Sequence, residues 1–149
     1  MKHVAPRLPA AAVIGAASLW MATAGNAPLW RELSALGLLQ AQDGWLLAFT
    51  LGGMLAAALF ALLSLASWRR LLKPVIVVLL FLCAAGAYFM WTYRIVIDST
   101  MAANALQTDP HEVQGLLTWN MALVLLAGAA LPSWLVWRCL LYTSDAADE

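Results

Sequence analysis

The chain has 149 residues, of which 64% are hydrophobic and 11% are charged, and its formal net charge at pH 7 is zero. A soluble domain is nearer half apolar and a quarter charged, and a chain of this length has too little interior to bury the excess. The composition therefore indicates a protein embedded in lipid, and the zero net charge gives no bulk electrostatic argument for binding nucleic acid.

Four apolar runs are long enough to cross a bilayer, which takes about 20 helical residues. They cover approximately residues 8–29, 44–68, 74–93 and 115–137. None alternates with a period of two, and a backbone in lipid must satisfy its own hydrogen bonds, so helices are expected. The sequence predicts an all-α fold, a polytopic membrane bundle of four transmembrane helices within residues 1–138.

The first run allows two interpretations. Lys2 and Arg7 precede an apolar segment, and Ala22-Thr23-Ala24 resembles the small-residue site at which signal peptides are cleaved. The apolar stretch continues towards Trp30, however, which is longer than the core of a typical signal peptide. A retained membrane helix and a cleaved leader both remain open at this point.

Lys and Arg residues predict the orientation, because they are enriched on the cytoplasmic side of membrane proteins. Of the eight basic residues in the chain, six fall on one side of a four-helix arrangement and two on the other. The first side carries Lys2, Arg7, Arg69, Arg70, Lys73 and Arg138, and the second carries Arg31 and Arg94. We therefore expect a multi-pass protein with a cytoplasmic N-terminus and outward-facing loops at 30–43 and 94–114; in the inner membrane of a Gram-negative bacterium these loops would be periplasmic.

Two prolines and several aromatic residues mark the third and fourth runs. Pro74 is expected to open the third helix, where its missing N–H has no cost, and Pro132 is expected to kink the fourth. Tyr88, Trp91 and Tyr93 are expected to anchor the third helix at the membrane interface.

The segment between the third and fourth runs reads as a short helical loop. Asp98-Ser99-Thr100 offers a helix N-cap, and Asp109-Pro110-His111-Glu112 reads as a second helix start. The loop histidine His111 and the N-terminal His3 have no partner at ligand spacing, so no metal site is expected in this chain. We find no catalytic motif for nucleotide or serine chemistry.

Three polar residues in this loop are candidate substrate-binding residues. Asn104, Thr108 and Glu112 are spaced four apart, which would place them on one face of a continuous helix. Glu112 would suit an ammonium group, and the amide and hydroxyl would suit phosphate or glycerol oxygens of a zwitterionic lipid. The alternative is a structural role, with Glu112 a cap, Thr108 a turn residue and Asn104 solvated.

The last eleven residues, 139–149, read as a translated sequencing adapter and are predicted to be non-native. The alternative is a genuine short acidic tail.

One stretch carries a specific resemblance. Tyr88 to Tyr93, then Val96-Ile97-Asp98, Met101, Asn104, Thr108 and Glu112, resembles the membrane domain of the lipid A phosphoethanolamine transferase family. The match is specific over residues 88–112 and looser over residues 8–138. Family members commonly have glycine where this chain has Arg94.

The resemblance implies a function for the whole protein. The family joins five membrane helices to a periplasmic, zinc-dependent, sulfatase-like domain, whose threonine nucleophile moves phosphoethanolamine from phosphatidylethanolamine to lipid A or another envelope glycolipid. This chain is expected to be a truncated membrane domain, inactive alone, that anchors the missing catalytic domain and presents the lipid donor. In the family, the residues corresponding to Asn104, Thr108 and Glu112 are thought to help form the donor pocket.

The competing hypothesis is a non-enzymatic helical membrane protein, such as an anchor, an assembly partner or a transporter fragment. A transporter should place polar or charged groups in the middle of the membrane. The apolar runs contain few such residues, which disfavours transport but leaves a simple anchor open.

Overall fold

A computed structural model of the chain describes residues 7–66, 71–94, 118–138 and 140–142. Within these residues the protein is a helical bundle with one small pair of strands at the chain ends. In order, the elements are β1 (Arg7–Pro9), α1 (Ala10–Ala22), a 3-10 turn (Ala24–Asn26), α2 (Ala27–Ala35), α3 (Gly44–Leu65), α4 (Leu72–Tyr93), α5 (Trp119–Leu125), a π-helical segment (Leu126–Ala130), α6 (Leu131–Arg138) and β2 (Leu140–Tyr142).

The described residues contain four helical spans that are long and apolar enough to cross a membrane. They are Ala10–Ala35, Gly44–Leu65, Leu72–Tyr93 and Trp119–Arg138. The prediction of an all-α, four-helix membrane fold is confirmed, and the chain is a multi-pass membrane protein. The first span differs from its predicted extent, because α2 continues it through the 3-10 turn to Ala35, beyond the expected end at residue 29.

The strand pair fixes the direction of the helices. β1 pairs with β2 in parallel, with Arg7 opposite Leu140 and Pro9 opposite Tyr142, so the residues before α1 lie beside those after α6. Successive spans therefore alternate in direction. We call this the strand end of the bundle, and we call the opposite end, where α2 and α4 finish and α3 and α5 begin, the loop end.

Helix α4 lies at the centre of the bundle. Its buried side chains, Leu72, Ile76, Leu80, Ala84 and Tyr88, recur every fourth residue and so form one row along the helix. That row packs into a core whose other members lie on α1, α3, the π-helical segment and α6. Tyr88 is 6% exposed, so its side chain faces the bundle interior near the loop end of α4.

Helix α3 lies at the edge of the bundle and packs chiefly against α1. Gly44 and Leu63 are its buried residues, whereas large side chains such as Phe49 and Leu65 are strongly exposed. The remaining apolar surface of α3 therefore faces lipid.

The two prolines act as their backbone chemistry requires. Helix α4 begins at Leu72, two residues before the position expected from the sequence, but Pro74 still lies in the first turn, where N–H groups lack helical partners. A π-helical segment interrupts the regular α-helix of the fourth span just before Pro132, which lies in the first turn of α6; the kink expected at this proline stays a prediction.

A neighbouring helix supplies the hydrogen bond that Pro132 cannot donate. Pro132 has no N–H to donate to the carbonyl of Gly128 four residues earlier. The indole Nε1–H of Trp20 on α1 donates to that carbonyl at 3.1 Å. A Cβ atom placed on Gly128 would lie 3.2 Å from the Cβ of Ala84, so α4 and the π-helical segment approach closely at this level.

Candidate functional site

A cavity opens at the loop end between three elements. Its volume is about 400 Å³, and it lies between the break separating α1 from α2, the last two turns of α4, and the first turns of α5. We call it the α4–α5 cavity. Its lining residues are Ala24, Ala27, Pro28, Ala87, Tyr88, Trp91, Thr92, Asn120 and Val124.

A pair of hydroxyl groups closes one side of this cavity. The Tyr88 hydroxyl and Thr118 Oγ1 are 2.5 Å apart, and either can be the donor. Thr118 is also the N-cap of α5, where its Oγ1 accepts a hydrogen bond from the Met121 N–H at 3.2 Å. The start of α5 is thereby tied to the row of buried side chains on α4.

Two further polar side chains line the cavity without internal partners. Thr92 lies in the last turn of α4 and Asn120 in the first turn of α5, and both are exposed. Neither side chain makes a hydrogen bond within the part of the chain that the structure describes. Each therefore offers donor and acceptor capacity to a bound molecule or to water.

Arg31 on α2 contacts the end of α4 beside the cavity. Its guanidinium lies 4.3 Å from the centre of the Trp91 ring and donates to the backbone carbonyls of Trp91, at 3.1 Å, and Met90, at 3.5 Å. It also forms an ion pair with Glu32 at 3.1 Å, in which Nε and Nη2 both donate to Oε1. Four of the five N–H groups of an arginine are thus occupied, so Arg31 serves mainly to cap α4.

A second cavity, a groove between α1 and α3, has a different character. Its volume is about 590 Å³. Its polar groups are already paired: the Thr23 hydroxyl donates to Leu19 O at 2.7 Å, and Trp30 Nε1–H donates to Ala22 O at 3.0 Å. This groove therefore offers a surface for hydrocarbon but no specific polar recognition.

The residues that sequence reasoning assigned to substrate binding lie elsewhere in the chain. Asn104, Thr108 and Glu112 fall outside the described residues, so their role stays a prediction, as do the loop helix start at Asp98 and the non-native character of residues 139–149. The segment that contains the three residues leaves α4 at Arg94 and returns at Thr118, so both of its ends lie close to the α4–α5 cavity.

Sequence reasoning missed Arg31, Tyr88 and Thr118 as parts of a site. From the sequence, Arg31 counts only as a loop charge and Tyr88 only as an interfacial anchor, and nothing singles out Thr118. The one signal available was their position, because all three fall near the ends of apolar runs on the same predicted side of the membrane.

Arg94 has an unusual backbone conformation. It ends α4 with φ 54° and ψ 36°, in the left-handed region that glycine adopts readily and residues with a Cβ adopt at a cost. This is the position at which the sequence comparison with the transferase family noted arginine in place of glycine. The chain therefore keeps a left-handed helix end without the residue that suits it.

We expect Arg94→Gly to stabilise the protein, because it removes the Cβ strain from the left-handed position. The free energy of unfolding should rise by about 1 kcal/mol, measured as an increase in the midpoint of thermal unfolding in detergent micelles. Arg94→Ala is the matched control, since it removes the charge but keeps the Cβ. Equal gains from both variants would show that the charge, and not the backbone, is responsible.

Metal chemistry has no ligand set in this part of the protein. The described residues contain no group of three or more His, Cys, Asp or Glu side chains that could hold a metal ion. The described residues therefore offer no such group for the zinc that the family resemblance implies.

The fold and the cavity define a class of protein: a polytopic helical membrane domain with a polar pocket at one membrane face. Comparison with known families is more specific. The family described as phosphoethanolamine transferase EptA/EptB matches residues 55–149. The chain belongs to this family, and it corresponds to the N-terminal membrane domain of its members.

Individual relatives agree with this assignment. The chain is 31% identical to phosphatidylethanolamine transferase Mcr-2 of Escherichia coli over 124 residues, which is 83% of this chain and 23% of that protein. It is 41% identical to Mcr-1 of the same species over 56% of this chain and 15% of that protein. It is also 41% identical to phosphoethanolamine transferase EptA of E. coli K12, over 42% of this chain and 12% of that protein.

The chain therefore spans less than a quarter of the length of these relatives. No solved structure matches it.

Proposed function

We propose that this chain anchors a phosphoethanolamine transferase in the bacterial inner membrane and presents its lipid donor. The donor would be phosphatidylethanolamine, and the acceptor would be lipid A or a related envelope glycolipid. The observation that carries the proposal is the polar α4–α5 cavity at the end of the bundle from which segment 95–117 emerges, in a chain of this family. The printed names of the relatives, which include phosphatidylethanolamine transferases, support the identity of the donor.

The proposed orientation places the loop end at the periplasm and the strand end at the cytoplasm. Six of the eight basic residues of the chain fall on the strand-end side of the spans, which supports a cytoplasmic location for that end. The catalytic domain, with its expected zinc, would then face the periplasm and work beside the loop end. Holding it there replaces a search in three dimensions by a local one, which raises the effective donor concentration.

Transport is a weaker explanation of this bundle. Among the described residues the buried polar side chains are Ser18 and Ser133, and neither can ionise. A transporter needs polar or ionisable groups at the membrane midplane to bind its substrate. The described interior favours an anchoring domain whose recognition chemistry lies at one membrane face.

Lipid selectivity provides the test. The purified 149-residue chain, in micelles supplied with equal phosphatidylethanolamine and phosphatidylglycerol, should retain phosphatidylethanolamine in preference, as measured by native mass spectrometry. Glu112→Gln should reduce this preference about tenfold, because a hydrogen bond to a charged group is lost. Asp98→Asn, which neutralises another carboxylate in the same segment, should leave the preference unchanged.

Two outcomes would contradict the proposal. The first is equal retention of the two lipids by the unaltered chain. The second is modified lipid A in cells that express this chain and no other phosphoethanolamine transferase, because the proposal assigns the catalysis to a separate domain.

A further inference from the structure

The α4–α5 cavity has a chemistry that suits one part of a phospholipid better than the rest. We propose that it binds the diacylglycerol portion of the lipid, meaning the glycerol carbons with their two ester groups, while the charged headgroup lies outside it. The identity of the lipid as the donor rests on the proposed function. The choice of the neutral portion rests on the cavity itself.

The lining of the cavity carries no charge. Its polar side chains are Tyr88, Thr92 and Asn120, and the others are apolar. A phosphate or an ammonium group is bound best by charged partners, and the neighbouring cation, Arg31, already has most of its N–H groups occupied. Hydroxyl and amide groups, in contrast, can donate to ester carbonyls and accept from a glycerol hydroxyl.

The depth of the cavity matches the ester layer of a bilayer. Helix α4 has 22 residues, and at 1.5 Å per residue it is about 33 Å long, slightly more than the hydrocarbon core of about 30 Å. The lining residues of α4 run from Ala87 to Thr92, the two turns before the helix ends at Tyr93. These turns therefore cross from the hydrocarbon into the interfacial layer, where the ester groups of phospholipids lie.

The size and the unpaired polar groups agree with this occupant. A volume of about 400 Å³ falls in the range of about 300–1,000 Å³ that ligand pockets occupy. The amide of Asn120 and the hydroxyl of Thr92 are exposed and have no hydrogen-bond partner in the described ranges, so both are available to a bound molecule. Two ester carbonyls would satisfy them, and the acyl chains would continue into the surrounding lipid.

The net transfer reaction gives this preference a consequence. When phosphoethanolamine passes from phosphatidylethanolamine to an acceptor hydroxyl, the bond between phosphorus and the glycerol oxygen breaks and a bond between phosphorus and the acceptor oxygen forms. The acceptor proton ends on the glycerol oxygen, which leaves diacylglycerol. A neutral cavity would hold this product as well as the donor, so diacylglycerol should compete with the phospholipid.

Photolabelling can test the proposal with the 149-residue chain. A diacylglycerol carrying a diazirine beside one ester group would be added to the purified chain in micelles, irradiated, and located by peptide mass spectrometry. We expect labelling at the end of α4 and the start of α5. The isosteric double variant Thr92→Val/Asn120→Leu should lower it about fivefold, because two hydrogen bonds of modest strength are lost.

A control variant and three competitors sharpen the result. Thr50→Val on α3 removes an exposed hydroxyl that is bonded to Leu46 O at 2.8 Å and lies outside the cavity lining, so labelling should not change. Unlabelled diacylglycerol, phosphatidylglycerol and phosphatidylethanolamine should all compete at the cavity, with phosphatidylethanolamine the most effective because its headgroup also gains the contact that the proposed function assigns to Glu112. Equal thermal unfolding midpoints for all variants would show that they remain folded.

The proposal is overturned if labelling spreads evenly over the helices, if the double variant labels normally, or if phosphatidylethanolamine alone competes. Its failure is distinguishable from failure of the proposed function. Cavity labelling without any preference for phosphatidylethanolamine over phosphatidylglycerol would sink the donor assignment and leave the diacylglycerol site standing. A preference for phosphatidylethanolamine without cavity labelling would support the donor assignment and rule out the diacylglycerol site.

Discussion

Replacing Arg31 by methionine is expected to lower the free energy of unfolding by about 2–4 kcal/mol, because two kinds of contact disappear together. Hydrogen bonds from a charged group are worth about 1.5–3 kcal/mol, and a cation over an aromatic ring adds about 0.5–2 kcal/mol. Arg31 makes both, to the carbonyls of Met90 and Trp91 and to the Trp91 ring. Its side chain is 20% exposed, so solvent screens these contacts only in part.

The effect should be concentrated at the end of α4. The last carbonyls of a helix have no partner within the helix. A cation beside them also interacts favourably with the partial negative charge at the C-terminal end of the helix. We therefore expect faster hydrogen exchange in the last turn of α4 in the Arg31→Met variant, along with a lower unfolding midpoint in micelles. Glu32→Gln is the control: the Glu32 side chain is 53% exposed, and its loss should cost less than about 1 kcal/mol. If both variants lose the same stability, the ion pair and not the cap is responsible.

Replacing Gly128 by leucine is expected to lower the free energy of unfolding by about 2–4 kcal/mol, through overpacking and the loss of one hydrogen bond. Even a single Cβ at this position would lie 3.2 Å from the Cβ of Ala84. A larger side chain must push α4 away from the π-helical segment. The same shift would move the Gly128 carbonyl away from Trp20 Nε1, which now lies at 3.1 Å.

Gly53→Leu is the matched control for this prediction, because a Cβ at Gly53 would meet no atom within 4 Å. Its free energy of unfolding in micelles should not fall, because the site is exposed and leucine favours a helix over glycine by up to about 1 kcal/mol. Trp20→Phe isolates the hydrogen bond and should cost about 1 kcal/mol. A Gly128→Leu variant as stable as the control would show that the two helices do not approach closely here.

The number of membrane spans could be predicted from the sequence because lipid imposes a simple requirement. Each span must be about 20 apolar residues in helical form, and hydropathy reports this directly. An irregularity beside Pro132 could also be located, since a proline removes a backbone donor wherever it stands.

The contacts that build the site could not be predicted in the same way. Whether Tyr88 faces lipid or Thr118, and whether Trp20 reaches Gly128, depends on how each helix is rotated about its axis. That rotation is set by close packing between helices, and hydropathy carries little information about it when α3 and α4 are apolar on all sides. The helix end at Arg94 could not be predicted either, because the neighbouring residues do not reveal that an arginine adopts a left-handed backbone conformation.

The caps at the two ends of α4 restrict how this helix can move. Near its start, Lys73 donates to the carbonyl of Trp137 at 3.2 Å and lies 5.8 Å from the centre of that residue's ring. Near its end, Arg31 donates hydrogen bonds to the carbonyls of Met90 and Trp91. A slide of α4 along its axis would break the contacts at both of its ends at once. These contacts therefore hold the helix at a fixed height relative to its neighbours.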